Sequence, residues 1–326
     1  MKRDIFNPRT NIKPAEYPHL IEFGNAILAS FWTAEHFTYD IDVLAFRTKL
    51  PPAYQEAVKR SMLAIGVVEN KVKSFWARID MRMPKPEIAL TGHIFASNEA
   101  VHQMAYEKLL HLLGLDEEFK HVMEVECMKG RAAYLSKYLE GVNSRSNREF
   151  TKSLILFTLL IENASLFTQF LTISSFEKYM SALSNFNTVV TATSKEEVVH
   201  AMFGEALIKI IREENPEWFD ADMEAKVMRN VKKAYEAECK VIDWIFEHGE
   251  LEFLPKVSIK EYLKTRLNES LVRIGYSPLY EVDETLLAPT QFFEVQVRVS
   301  SSFDFFKNKS TDYSSGQAFT ADNLFD

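Results

Sequence analysis

Proline is missing from the whole stretch between Pro86 and Pro216, and only 10 glycines and 11 prolines occur among 326 residues. Nothing there obliges a helix to break, so an all-α protein built from long helices is expected. Cysteine is scarcer still, and Cys127 and Cys239 cannot supply a disulfide framework. The amino terminus, MKRDIFNPRT, lacks the apolar core of a signal peptide, which makes the cytoplasm the expected compartment. The chain also lacks a Lys/Arg-dense stripe and carries a formal charge of -8. A phosphate backbone finds no electrostatic footprint, and nucleic acid is not an expected partner.

One run, Ser153 to Phe176, is apolar enough to raise the question of a membrane span. Glu162, Asn163 and Gln169 lie at its centre. A charged group is expensive at bilayer depth, so the better reading is a helix sheathed by other helices, with no membrane involved.

Punctuation along the chain predicts helices over roughly 16–30, 52–80, 86–113, 116–140, 148–172, 177–191, 195–214, 220–248 and 259–273. Phe31-Trp32 and a short link separate the first two. No internal repeat of fixed period is present. Residues 1–299 read as one helical domain, and the Ser/Asp/Asn-rich residues 300–326, with scattered aromatics, read as a flexible tail.

The chemistry is carried by Glu-x-x-His, which sets a carboxylate and an imidazole one turn apart on one helix face, within reach of one metal ion. With 8 histidines about one chance match is expected, and the chain has four: Glu16/His19, Glu99/His102, Glu118/His121 and Glu197/His200. Pro18 interrupts the first, and the third lies in DEEFKHVMEVE, a solvated charged face. The other two sit in long patterns with apolar surroundings. Glu162 is an independent clue, because a carboxylate amid apolar residues must be protonated, salt-bridged or metal-bound, and no Lys or Arg lies within a helical turn of it. A protonated core glutamate is the plain alternative. For Glu69, the alternative is a surface ion pair with Lys73.

One carboxylate on each of two helices, plus Glu-x-x-His on each of two others, is the pattern of ferritin-like di-iron and di-manganese proteins. Its order here is Glu69, Glu99/His102, Glu162, Glu197/His200. Four carboxylates offset much of the charge of two divalent ions and can bridge them. A carboxylate-bridged dinuclear centre in a helical bundle is therefore expected.

With further details the chain resembles the small, radical-generating subunit of class I ribonucleotide reductase over nearly its whole length. Tyr106, one turn after His102, matches the radical-bearing tyrosine of that family, and Trp32 in FWTAE matches the tryptophan that starts the electron route to the partner. RLNESLVRIGYSPLY resembles its last core helix, FDFFKNKSTDY the stretch leading to a tail tyrosine, here Tyr313, and NLFD its partner-binding carboxyl terminus. Taken singly, each aromatic is as well explained by packing. The resemblance implies a homodimer whose metal centre is oxidised and then passes an oxidising equivalent to a large catalytic subunit, where ribonucleotides are reduced. The route implied is His102, a carboxylate at Glu196, Trp32 and Tyr313. Glu69 and Glu196 replace the aspartates usual at their positions, and Thr193 replaces an apolar residue near the tyrosine. Lys71 and Lys73 crowd the first ligand helix. A glutamate first ligand is similar to subgroups whose oxidant stays on the metals, which points to manganese, with iron or a mixed manganese and iron pair as rivals. The competing functions are a substrate-oxidising di-metal oxygenase or oxidase, an iron-storage cage, and a purely structural helical protein.

Overall fold

The structure, a computed structural model, describes residues 3–303. Twelve α-helices occur among the described residues: α1 (Ile21–Ala29), α2 (Asp40–Lys49), α3 (Pro52–Trp76), α4 (Pro86–Leu113), α5 (Asp116–His121), α6 (Glu126–Leu139), α7 (Asn147–Phe157), α8 (Phe167–Met180), α9 (Ser184–Glu214), α10 (Ala221–Ile245), α11 (Lys256–Arg273) and α12 (Gln291–Phe303). No strand longer than the single Leu251–Leu254 bridge occurs among the described residues. A π-helical segment, Thr158–Ser165, joins α7 to α8.

The local signals act as their chemistry requires. Pro52 and Pro86 open α3 and α4, where the missing N–H has no intrahelical acceptor to lose. Gly114 ends α4 at φ 76°, a left-handed conformation that a residue without Cβ adopts at little cost. Ser146 and Asp220 accept the backbone N–H groups of Glu149 and Met223 and so cap α7 and α10.

From α7 through the π segment to α8 the chain forms one rod, Asn147–Met180, and its apolar stretch is entirely buried. The rod is the spine of the bundle. α3, α9, α10 and α11 pack around it, α3 lies along α4, and α1 closes over α4 and α9. Its aromatic neighbours interlock tightly, as in the 3.8 Å stack of Phe75 on Phe157. The N-terminal segment is stapled to the start of α4 by Glu87, which accepts the backbone N–H groups of Glu16 and Tyr17 and pairs with Arg9. Glu16 itself pairs with Lys85.

Several boundaries differ from the expected ones. Residues 40–49, read as part of a link, form α2. The helix expected over 116–140 is divided by a short 3-10 turn, Val122–Glu124, and by extended Val125. The break near 192–194 does not exist, because α9 runs unbroken from Ser184. The chain turns instead at Ser181 and Leu183, both left-handed without being glycine, so composition gave no warning. α12, a helix not expected from the sequence, takes in residues 300–303 of the expected tail; the rest of that tail, with Tyr313, lies outside the described residues.

Candidate metal centre

Four elements converge on one dry point in the bundle. α3 contributes Glu69, α4 contributes Glu99 and His102, the π segment contributes Glu162, and α9 contributes Glu197 and His200. None of the six is more than 1% exposed. Glu99 presents Oε1 to His200 Nδ1 at 3.0 Å and Oε2 to His102 Nδ1 at 3.4 Å. Glu197 does the converse, with Oε1 3.1 Å from His102 Nδ1 and Oε2 3.6 Å from His200 Nδ1. Glu69 stands 3.7 Å from His102, and Glu162 stands 3.6 Å from His200. The result is two donor sets, Glu69/Glu99/His102/Glu197 and Glu99/Glu162/Glu197/His200, each with its ligand atoms within 4.8 Å of one another and with Glu99 and Glu197 common to both.

Left to itself, this cluster is electrostatically uncomfortable. Both oxygens of Glu69 and of Glu99, one each of Glu162 and Glu197, Nδ1 of His102 and both ring nitrogens of His200 have no hydrogen-bond partner. Buried polar atoms are rarely left so. Burial, then the charges of Glu197 and Glu99, push the Glu69 carboxyl well above the usual carboxylate range. Burial and Glu197 do the same to Glu162. Glu197 is held low, against burial, by the imidazoles of His102 and His200 beside it. The imidazoles are driven up, against burial, by the surrounding carboxylates. Two divalent cations would satisfy the orphaned carboxylate oxygens and the Nδ1 atoms of both imidazoles, and a set of four carboxylates and two imidazoles suits hard to borderline ions. The donor set fits a dinuclear metal site.

Around it lies a second ring of contacts. Glu196 Oε2 is 2.8 Å from His102 Nε2 and accepts the Trp32 indole N–H at 2.9 Å. With Nε2 engaged there, Nδ1 of His102 is the nitrogen left for a metal. Trp76 donates to Glu162 Oε1 at 3.0 Å. Tyr106 is buried one turn beyond His102, and burial and the Glu69 charge hold its hydroxyl well above its ordinary pKa. That hydroxyl makes no well-formed hydrogen bond, nor does that of buried Thr193, although Thr193 is near enough to act against the rise in the tyrosine pKa. Lys73 does not pair with Glu69; it reaches the Asn70 carbonyl and Gln103. The two discounted motifs stay apart from the centre, with His121 on the surface beside Glu124 and Glu16 in its pair with Lys85.

The model of one family, "Ribonucleotide reductase, small chain", matches residues 9–286. The chain belongs to the ribonucleotide reductase small chain family. A probable ribonucleoside-diphosphate reductase small subunit, 048L, of Invertebrate iridescent virus 3 is 23% identical over 94% of this chain and 84% of its own length. Among solved structures, the fold is similar to the R2 subunit from Clostridium botulinum, with a TM-score of 0.79, 18% identity and coverage of 91% of this chain and 98% of that one. It is also similar to a Streptococcus sanguinis protein described as dimanganese(II)-NrdF, with a TM-score of 0.76, 14% identity and coverage of 90% and 100%. As a ribonucleotide reductase small chain it is one subunit of an oxidoreductase that works with a large subunit, and the substrate-oxygenase alternative falls away.

Small-chain membership does not by itself explain how Glu162 reaches the centre. A π turn takes in an extra residue relative to an α turn and so re-aims the residues it carries. Two buried arginines serve the backbone it leaves exposed. Arg131 on α6 donates to the Ser165 carbonyl, to the Ala64 carbonyl at 2.9 Å and to Gln169, with Glu238 as its counter-ion at 3.0 Å. Arg266 on α11 donates to the Asn163 carbonyl at 3.0 Å and lies over the Phe167 ring. α9 presses against the segment at Gly204, where a Cβ would stand 2.3 Å from Thr158 Oγ1. Sequence reading missed all three. Arg131 and Arg266 look like ordinary surface charges on amphipathic helices, and only their partners far along the chain distinguish them.

Proposed function

We propose that Glu69, Glu99, His102, Glu162, Glu197 and His200 would hold a dinuclear metal centre, with Glu99 and Glu197 common to its two donor sets, and that this centre serves ribonucleotide reduction in a large subunit. The observation that carries the reading is the pairing at the two shared glutamates, each of which faces both imidazoles with one oxygen apiece. When bound, the metals supply a one-electron oxidising equivalent. Manganese is the favoured metal, with iron or a mixed manganese and iron pair as alternatives. The glutamate at position 69 supports it, and a structural relative is a dimanganese(II) protein. Donor chemistry alone accepts either metal.

Within the chain, His102, Glu196 and Trp32 form the inner part of the route, with Glu196 Oε2 as the acceptor that links the imidazole Nε2 to the Trp32 indole N–H. Tyr313 in the tail continues it, and residues 300–326 dock the large subunit. The chain works as a homodimer in the cytoplasm. Tyr106, whose hydroxyl has no acceptor, is dispensable in this reading.

Tyr106→Phe is the direct test. Full turnover with the large subunit supports an oxidant kept on the metals; abolished turnover ends that idea. Metal analysis with electron paramagnetic resonance identifies the ions. A chain ending before Ser300 should keep its metals and lose turnover with the large subunit.

A further inference from the structure

All six donors are sealed from solvent, yet one of them borders a cavity that opens to the surface. The cavity, of about 200 Å3, lies between α3, α4 and α5, and Glu69 and Tyr106 form its floor. Both Glu69 oxygens and the Tyr106 hydroxyl are buried and unpartnered there. At the other end the lining includes Asn70, Glu107 and Asp116, all exposed.

We infer that this cavity is the inlet through which divalent cations reach the Glu69 end of the centre. The inference rests on the dinuclear reading and adds a path to it. At this cavity the helix layer is thinned down to Glu69 and Tyr106, with room for several waters at roughly 30 Å3 each, so an ion can exchange its hydration shell stepwise.

The chemistry of the lining selects the solute. Two carboxylates and an amide stand at the mouth and a third carboxylate at the floor, which is an oxygen-donor path suited to a hard divalent ion. Lys73, the cation beside it, is occupied by the Asn70 carbonyl and Gln103. His111 pairs with Asp116 at 2.9 Å on the outer side, and among the described residues Glu107 has no ion-pair partner. An acidic mouth concentrates cations and repels small anions.

The wall is built to stay narrow. Gly66 lies one turn before Glu69, and a Cβ there would come within 2.9 Å of Phe119 Cε2 and 3.1 Å of Leu110 Cδ1. Its absence lets the Phe119 ring of α5 settle against α3, so that the inlet is flanked by a ring and floored by the ligand.

The test follows Mn(II) uptake by full-length, metal-free protein through loss of the free-ion paramagnetic signal. Asn70→Trp obstructs the mouth, and Glu107→Gln with Asp116→Asn removes its charge. All three positions are exposed, and unchanged circular dichroism and Tm verify folding. The wild-type chain is expected to take up two ions, one for each donor set. The charge variant should load about tenfold more slowly, with a weaker dependence on ionic strength. The obstructed variant should be slower still, and both should reach the same final stoichiometry. Unchanged rates in both variants overturn the inlet. So does a lower final stoichiometry in the variants, since the mouth would then hold ions rather than pass them. A wild-type chain that binds no pair of ions overturns the dinuclear reading itself, a result distinct from full binding at unaltered rates.

Discussion

Trp32 and His102 meet at a single atom: the indole nitrogen lies 2.9 Å and the imidazole Nε2 2.8 Å from the same oxygen, Oε2 of Glu196. Their rings are nearly parallel, 24° apart with centroids at 6.1 Å. The longer glutamate therefore spans the gap without losing either hydrogen bond. An acceptor shared by two donors holds both rings in place and fixes which imidazole nitrogen faces the centre.

Glu196→Ala should accordingly separate metal binding from turnover. Loss of a hydrogen-bond partner behind a ligand histidine costs about 10–100-fold in affinity or activity. The expected outcome is turnover with the large subunit reduced by that order, while metal content at saturating metal stays near wild type. Equal turnover in the variant would remove Glu196 from the route.

Gly204 sets how closely α9 approaches the π segment. A Cβ would meet Thr158 Oγ1 at 2.3 Å and Thr158 Cγ2 at 2.8 Å. Gly204→Ala should therefore destabilise the protein by about 1–3 kcal/mol, as overpacking does. It should also weaken metal binding, because His200 lies one turn away on α9 and Glu162 one turn away on the segment. Thr158→Ala removes both clashing atoms. In thermal melts the double variant should recover most of the loss, and additive effects would show that the contact is not the cause.

Much of this site was legible in the sequence because its chemistry clashes with its surroundings. Glu162 stands among apolar residues without a nearby cation, and Glu99/His102 and Glu197/His200 repeat one spacing in otherwise apolar helices. Prolines and Gly114 marked the ends of α3 and α4 for the same local reason. What stayed hidden depends on contacts distant in sequence. The π segment has no compositional signature, since its residues suit an α-helix equally well. The turn at Ser181 and Leu183 uses left-handed residues that carry a Cβ, and α2 was masked by its brevity. Arg131 declares its role only through Ser165 and Glu238, which lie 34 and 107 residues away.

Loading the metal-free protein should release protons. Glu69 and Glu162 have carboxyls raised by burial, and His102 and His200 are raised by their carboxylate neighbours, so all four retain protons at higher pH than usual. Metals bind the deprotonated forms. Affinity should therefore strengthen as pH rises through the range where these groups titrate and weaken as it falls; Glu197, already held low, contributes little to the slope. Calorimetry in buffers of differing ionisation enthalpy measures the protons released. A binding enthalpy independent of buffer would contradict the prediction.

Arg131 offers the sharpest test of how the π segment is held. It is fully buried, and Glu238 beside it is 2% exposed, its carboxyl raised by burial even with the guanidinium pulling the other way. Arg131→Met leaves Glu238 without its counter-ion and the Ala64 and Ser165 carbonyls without their donor. Breaking a buried pair by removing one partner costs about 3–5 kcal/mol, largely because a charge is left uncompensated. Adding Glu238→Met removes that charge and should restore part of the stability, whereas the carbonyl loss persists. Thermal melts of the two variants therefore divide the effect between ion pair and backbone. If the backbone share is real, the double variant should regain stability yet still bind metal more weakly than wild type, because Ser165 belongs to the segment that carries Glu162. Full recovery of both properties would assign Arg131 to charge balance alone.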